Sequence, residues 1–250
     1  MEKILHELLV LGELLLQNGA EINRVEETVS RMGMAYGAEE MHVFVITNSI
    51  VVTMQLPGGA ILTQTRRITQ PGGTDFIRLE ACNALSRRCC EAPLPVEQLT
   101  AEVEKIRVFS GGRLRVYLGS VAVVGAFTLF FGGRAADILV AMAFAVLTCV
   151  LQEKLMPVCM NLVIFNLLCS LLIGLGTCIC VRLWPMLQLD KIMVGYIMLL
   201  IPGMAITNAV RDVLVGSTIS GALRLTECLL WAAALACGFM LAIWITGVRI

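Results

Sequence analysis

Leu155 to Val181 is 27 residues long and carries no charged side chain. A helix crossing the hydrocarbon core of a bilayer needs about 20 mostly apolar residues, and so long an uncharged run can span it with tilt. Val116–Gly133, Ile138–Gln152, Ile192–Val210 and Cys228–Val248 are further runs of the same kind. Ile138–Gln152 is short and reaches span length by taking in Ala135-Ala136. Composition agrees. The chain is 58% hydrophobic and 15% charged, against about 45–50% apolar and about 25% charged in a soluble domain. About five transmembrane helices are expected, near residues 115–133, 135–152, 157–181, 192–211 and 227–248.

The charges mark a second region. Residues 1–115 hold 12 of the 19 Lys/Arg and 14 of the 19 Asp/Glu, so the chain changes solvent near Arg115. The expected architecture is a cytoplasmic α+β domain over 1–113 followed by an all-α polytopic membrane domain over 114–250. Met1–Gln17 is apolar, but Glu7 and Glu13 interrupt it, and Ile4, Leu8, Leu11 and Leu15 recur at helical spacing. That pattern is an amphipathic helix rather than a signal peptide, so the first domain is expected to stay in the cytoplasm. A second helix starts near Glu21 or Asn23 and turns Val25, Val29 and Met32 toward a core. His42–Leu56, rich in Val, Ile, Thr and Phe, reads as a strand. Pro57-Gly58-Gly59 turns it back into Ala60–Ile68, giving a hairpin, with Arg66-Arg67 as a solvated turn. Pro71-Gly72-Gly73 breaks the chain, Thr74 or Asp75 caps a helix through about Cys90, and Pro95 opens a last helix. With this domain inside, Lys105, Arg107, Arg113, Arg115, Lys154, Arg211 and Arg224 are cytoplasmic, while Arg134, Arg182, Lys191 and Arg249 lie outside. The balance follows the positive-inside rule.

No cofactor and no metal site are expected. Cys149, Cys159, Cys169, Cys178 and Cys237 sit in apolar runs, where Cys acts as a small hydrophobe, and His6 and His42 are far apart. No phosphate loop, Gly-x-Ser-x-Gly or His-Glu-x-x-His appears, which argues against a nucleotide-driven pump made of this chain alone. Neither half is basic enough for nucleic acid. The richest stretch is Ile201–Arg224. Proline removes a backbone donor and clashes with the preceding turn, so a break at Pro202-Gly203 frees main-chain groups near bilayer depth. Such backbone is tolerated only in buried or watery surroundings and is used by secondary transporters to bind solutes; a packing kink is the alternative. Asn208 and Asp212 share a helix face with Arg211 beside it. Thr207, Asn208 and Arg211 suit a small zwitterion or acid, with Asp212 holding Arg211 or relaying a proton; the alternative is an interfacial Arg–Asp pair. Asp137 and Glu227, near span ends, are coupling candidates or interfacial groups. Asn161 and Asn166 are expected to bond between helices. Glu21, Asn23, Arg24, Glu26 and Glu27 form either a solvated helix face or a docking surface.

These residues carry a likeness. Leu14-Leu-Leu-Gln-Asn-Gly-Ala-Glu21, Arg24-Val-Glu-Glu-Thr28, the Phe44–Gln55 stretch and Phe131-Gly-Gly-Arg-Ala-Ala-Asp137 resemble the threonine/serine exporter (ThrE) family. Pro202-Gly203, Thr207-Asn208, Arg211-Asp212, Gly216 and Ser220-Gly221 do so most specifically. The resemblance implies a secondary-active exporter of small polar metabolites in the bacterial inner membrane, and no enzyme. Single-chain members carry a second membrane block, so ending at Ile250 implies the larger subunit of a split, two-component form. A smaller membrane subunit of the same family is the implied partner, in a homo- or hetero-oligomer, with a threonine/serine-like amino acid or a dicarboxylate such as succinate as cargo. The competing expectation is a membrane-anchored regulatory or scaffold protein acting through its cytoplasmic domain.

Overall fold

The structure is a computed structural model that describes residues 1–68, 73–109, 111–159 and 161–248. The chain folds as two units. One holds Met1–Ser110 together with Gly203–Thr226, and the other holds Gly111–Pro202 and Glu227–Ile250. Sequence draws a single boundary at 113/114, whereas residues 203–226 pack with the N-terminal residues. Pro71, Gly72 and Arg249 lie outside the described residues.

The first unit is built on α1 (Glu2–Gln17) and α2 (Ile22–Ala35). Leu5, Leu8, Leu11 and Leu15 of α1, and Ile22, Val25, Val29 and Met32 of α2, are buried. Their spacing of three and four residues sets them on one stripe of each helix. Each such side chain contributes about 1.5–3 kcal/mol when withdrawn from water. Strands β1 (Glu40–Ile46), β2 (Ser49–Gln55) and β3 (Ile61–Arg67) form an antiparallel meander in that order. His42–Leu56 is therefore two strands, not one. The chain reverses at Thr47-Asn48, with Ile46 opposite Ser49, because a polar pair rich in turn preference interrupts the β-formers. Ile50, Val52 and Met54 alternate onto the buried face of central β2. Arg66 is not a turn residue either. It lies in β3, and its half-buried guanidinium pairs with Glu13 of α1. Asp75 caps α3 (Phe76–Glu91) by accepting from the Ile77 and Arg78 amides, and α4 (Val96–Val108) follows Pro95.

The second unit contains α5 (Arg113–Phe130), α6 (Ala135–Lys154), α7 (Leu162–Leu183) and α8 (Leu189–Leu200). α9 (Gly203–Leu214) belongs to the first unit, and the division falls within α10 (Thr218–Thr246), after Thr226. Among the described residues α5, α6, α7 and α10 are long and apolar enough to cross a membrane, and α8 with α9 makes a fifth if the broken pair is one span. The protein is thus mostly helical, with four or five membrane-capable helices and a small sheet near its N-terminus. The long run from Leu155 does not form a helix at once. Pro157 disfavours helical geometry before it, and α7 starts only after Asn161, whose Oδ1 accepts from the Ile164 amide. Asn161 caps its own helix instead of bonding across to another. Asn166 is buried within α7. Asp137 is fully buried. Its two oxygens accept from the Arg134 and Gln188 amides, both at 2.8 Å, and so join the start of α6 to the start of α8.

Candidate functional site

Helix α8 stops at Leu200, and Ile201 is extended (φ −68°, ψ 132°), as a residue before proline prefers to be. Pro202 has no N–H to continue the ladder, and α9 begins anew at Gly203. At its other end α9 turns sharply into α10. Gly216 takes φ +105° there, a conformation that strains any side-chain-bearing residue. The return leg lies close, since a Cβ on Gly221 would stand 2.7 Å from the Ala209 carbonyl oxygen and 2.8 Å from the Val213 nitrogen. The resulting helical hairpin gathers Asn208, Arg211, Asp212, Ser217 and Arg224.

The hairpin docks on the connector between α1 and α2. Asn18 ends α1, its side-chain amide donating to the Leu14 carbonyl at 2.6 Å, and Gly19 takes φ +94° to turn the chain. The Asn208 amide donates to the Gly19 carbonyl at 2.9 Å. Asp212 accepts from the Ile22 amide at 3.2 Å on one oxygen and from the Arg224 guanidinium at 3.1 Å on the other. Ile22 is the first residue of α2, so its N–H has no acceptor within the helix, and Glu21, at the cap position, makes no side-chain cap. Asp212 therefore caps α2 from 190 positions away and sets a negative charge at the positive end of its dipole. Arg211 donates to Glu21 at 2.6 Å and Ser217 to Asn23 at 2.8 Å.

The two ion pairs differ in setting. Asp212 and Arg224 side chains are 2% and 15% exposed, whereas Arg211 is 61% and Glu21 22% exposed. One pair is interior and fixed, the other outward and open to exchange. Two carboxylates and two guanidiniums leave the cluster formally neutral.

Of the residues singled out by sequence, Asn208, Arg211 and Asp212 come together here. Thr207 is exposed one position away, its hydroxyl donating to the Gly203 carbonyl at 3.0 Å. Pro202 and Gly203 form the break itself. Asp137 and Glu227 belong to the second unit, the first buried and committed to backbone amides, the second exposed. Sequence reasoning gave Gly19, Ser217 and Arg224 no role in this site, although Ser217 and Arg224 fall within the Ile201–Arg224 stretch. Glu21 and Asn23 of the α2 face are engaged by Arg211 and Ser217 of the same chain, while Glu27 pairs with Arg31 in solvent. Glu26 turns inward to accept from the Val45 amide at 3.0 Å; burial raises its carboxyl above the usual range, against the lowering effect of that N–H. A surface cleft lined by Arg88, Gln98, Glu102 and Lys105 is a weaker candidate. Its charges satisfy one another, Lys105 foremost and Arg88 holding the Glu102 carboxyl below its ordinary value.

No curated protein and no solved structure matches the chain. A family model does, that of the threonine/serine exporters, over residues 7–246. The match runs through both units and includes both halves of the polar cluster. This multi-pass chain belongs to the threonine/serine exporter family, ThrE.

Proposed function

We propose that this chain is a subunit of a secondary-active exporter of small polar metabolites, either threonine- or serine-like amino acids or dicarboxylates such as succinate. It works in the bacterial inner membrane with a smaller membrane subunit of the same family, and its N-terminal domain is cytoplasmic. The substrate is held where the helix restarts after Pro202, by main chain near Gly203 and by Thr207, Asn208 and Arg211. One observation carries this reading. In a chain of an exporter family, Arg211 stands exposed on a helix that begins at a proline break, with only Nη1 engaged among the described residues. A guanidinium has five N–H donors in a fork that fits a carboxylate. The first N–H groups of α9 also lack intrahelical acceptors and carry the positive end of its dipole. The Thr207 hydroxyl and the Asn208 carbonyl oxygen supply acceptors for a hydroxyl or an ammonium.

Asp212 and Asp137 each use both oxygens in protein bonds. That supports ion-pair and capping roles for them and favours Glu227 as the carboxyl for ion coupling. The test is counterflow of labelled serine, threonine and succinate in vesicles that hold this chain with its smaller subunit. Asn208→Ala and Arg211→Ala, shown folded by their elution in detergent, are expected to lose at least tenfold in rate. Unchanged transport in both variants removes the site from Arg211.

A further inference from the structure

We propose that Glu21 determines the substrate specificity of this exporter, by holding the ammonium of a zwitterionic amino acid whose carboxylate is held by Arg211. The inference rests on the substrate-binding role of Arg211 given above and adds a residue from the N-terminal domain to the site.

In the structure Glu21 and Arg211 face each other at 2.6 Å. Each supplies the group that one end of an amino acid would otherwise offer. The carboxylate of Glu21 occupies the guanidinium as a substrate carboxylate would, and the guanidinium occupies Glu21 as a substrate ammonium would. A zwitterion inserted between them replaces one ion pair by two and leaves the count of charges balanced. The exchange is easy at this pair, because ion pairs exposed to water hold weakly, and Arg211 is 61% exposed. It is hard at the neighbouring pair, where Asp212 and Arg224 are buried and Asp212 also caps α2. One pair opens while the other keeps the frame in place.

The same geometry discriminates. Asp212 and Glu21 already balance Arg211 and Arg224, so a dicarboxylate adds two uncompensated negative charges. Its second carboxylate meets Glu21, a like charge in a partly buried position. A hydroxy acid keeps the bond to Arg211 but leaves Glu21 without a cation. A zwitterion alone satisfies both.

Counterflow of labelled serine, with unlabelled 3-hydroxypropionate (serine without its ammonium) and succinate as competitors, tests this in the two-subunit vesicles. The intact chain is expected to favour serine over both by at least tenfold. Glu21→Gln keeps size and hydrogen bonding but removes the charge, and should bring the three within about threefold of one another. Glu21→Ser, which places a favoured helix-cap residue at the start of α2, is read in the same way if Glu21→Gln does not fold. A folded Glu21 variant that keeps the preference for serine overturns the proposal, as does an intact chain that prefers succinate. Arg211→Ala separates the two claims. If it abolishes all transport while Glu21→Gln leaves selectivity unchanged, only the role of Glu21 fails. If it changes nothing, the site itself is elsewhere.

Discussion

Removing either member of the Asp212–Arg224 pair strands a charge in a site where neither side chain is more than 15% exposed. Breaking a buried pair from one side costs about 3–5 kcal/mol, most of it from the charge left behind. The Arg211–Glu21 bond is shorter, 2.6 Å against 3.1 Å, but it faces water, where such a pair contributes about 0–1 kcal/mol. Burial outweighs distance in setting these values. Thermal unfolding in detergent should therefore show a marked loss for Asp212→Ala and for Arg224→Ala and little change for Arg211→Ala. The double variant Asp212→Ala/Arg224→Ala should cost less than the two single losses added together, since no charge is then stranded. Equal losses for Arg211→Ala and Asp212→Ala would contradict the division into a fixed pair and an exchanging pair.

The hairpin of α9 and α10 depends on a close approach that has no slack. An alanine at 221 would press its Cβ against the Ala209 carbonyl and the Val213 backbone, atoms that move only if the helix moves. Overpacking of this kind costs about 1–3 kcal/mol. Spreading the hairpin should also withdraw Asp212 from the start of α2. Gly221→Ala is therefore expected to speed hydrogen exchange at the Ile22 amide, while amides in the middle of β2 keep their protection. If exchange at Ile22 stays as it was, Asp212 is not what protects that N–H. At this scale the sequence is readable wherever the signal is local. The 3–4 spacing in α1 and α2, the uncharged runs and the break at Pro202 each lie within a few residues of one another. Thr47-Asn48 escaped because Val, Ile and Thr continue on both sides and mask a two-residue turn. The partners of Arg211, Asp212 and Ser217 escaped for another reason. Glu21, Ile22 and Asn23 lie about 190 residues from them, and no periodicity or spacing encodes a pairing across that distance. Polar residues crowded at Glu21–Glu27 and again at Thr207–Arg224 were visible, but their mutual fit exists only in three dimensions.

That long-range pairing also bears on how the whole chain threads a membrane. Residues 203–226 pack with residues 1–110 in one unit, and if that unit stays whole beside a membrane both segments lie on the same face. Between them run α5, α6 and α7, each long and apolar enough to cross. Three crossings there would leave the chain on the far face at the start of α8. If all three cross, Asn208 and Arg211 return to the near face only if the segment beginning at Leu189 crosses as well, and α8 with the start of α9 is then a broken span instead of a re-entrant loop. On this count Glu227–Thr246 of α10 is a fifth crossing, about 30 Å long at the helical rise, a match to the hydrocarbon core. The four lysines of the chain, Lys3, Lys105, Lys154 and Lys191, report on this directly. Lys3 and Lys105 precede the first crossing, Lys154 ends the second, and Lys191 follows the third. With the N-terminal domain cytoplasmic as proposed, a membrane-impermeant amine reagent should modify Lys191 in right-side-out vesicles, and Lys3, Lys105 and Lys154 only when the vesicles are inverted. Lys191 is partly shielded by its 2.9 Å pairing with Asp190, so its labelling should be slower without changing sides. Lys191 labelled from the same face as Lys3 would mean that α5 to α7 do not make three crossings, and the argument for a broken span at Pro202 would go with them.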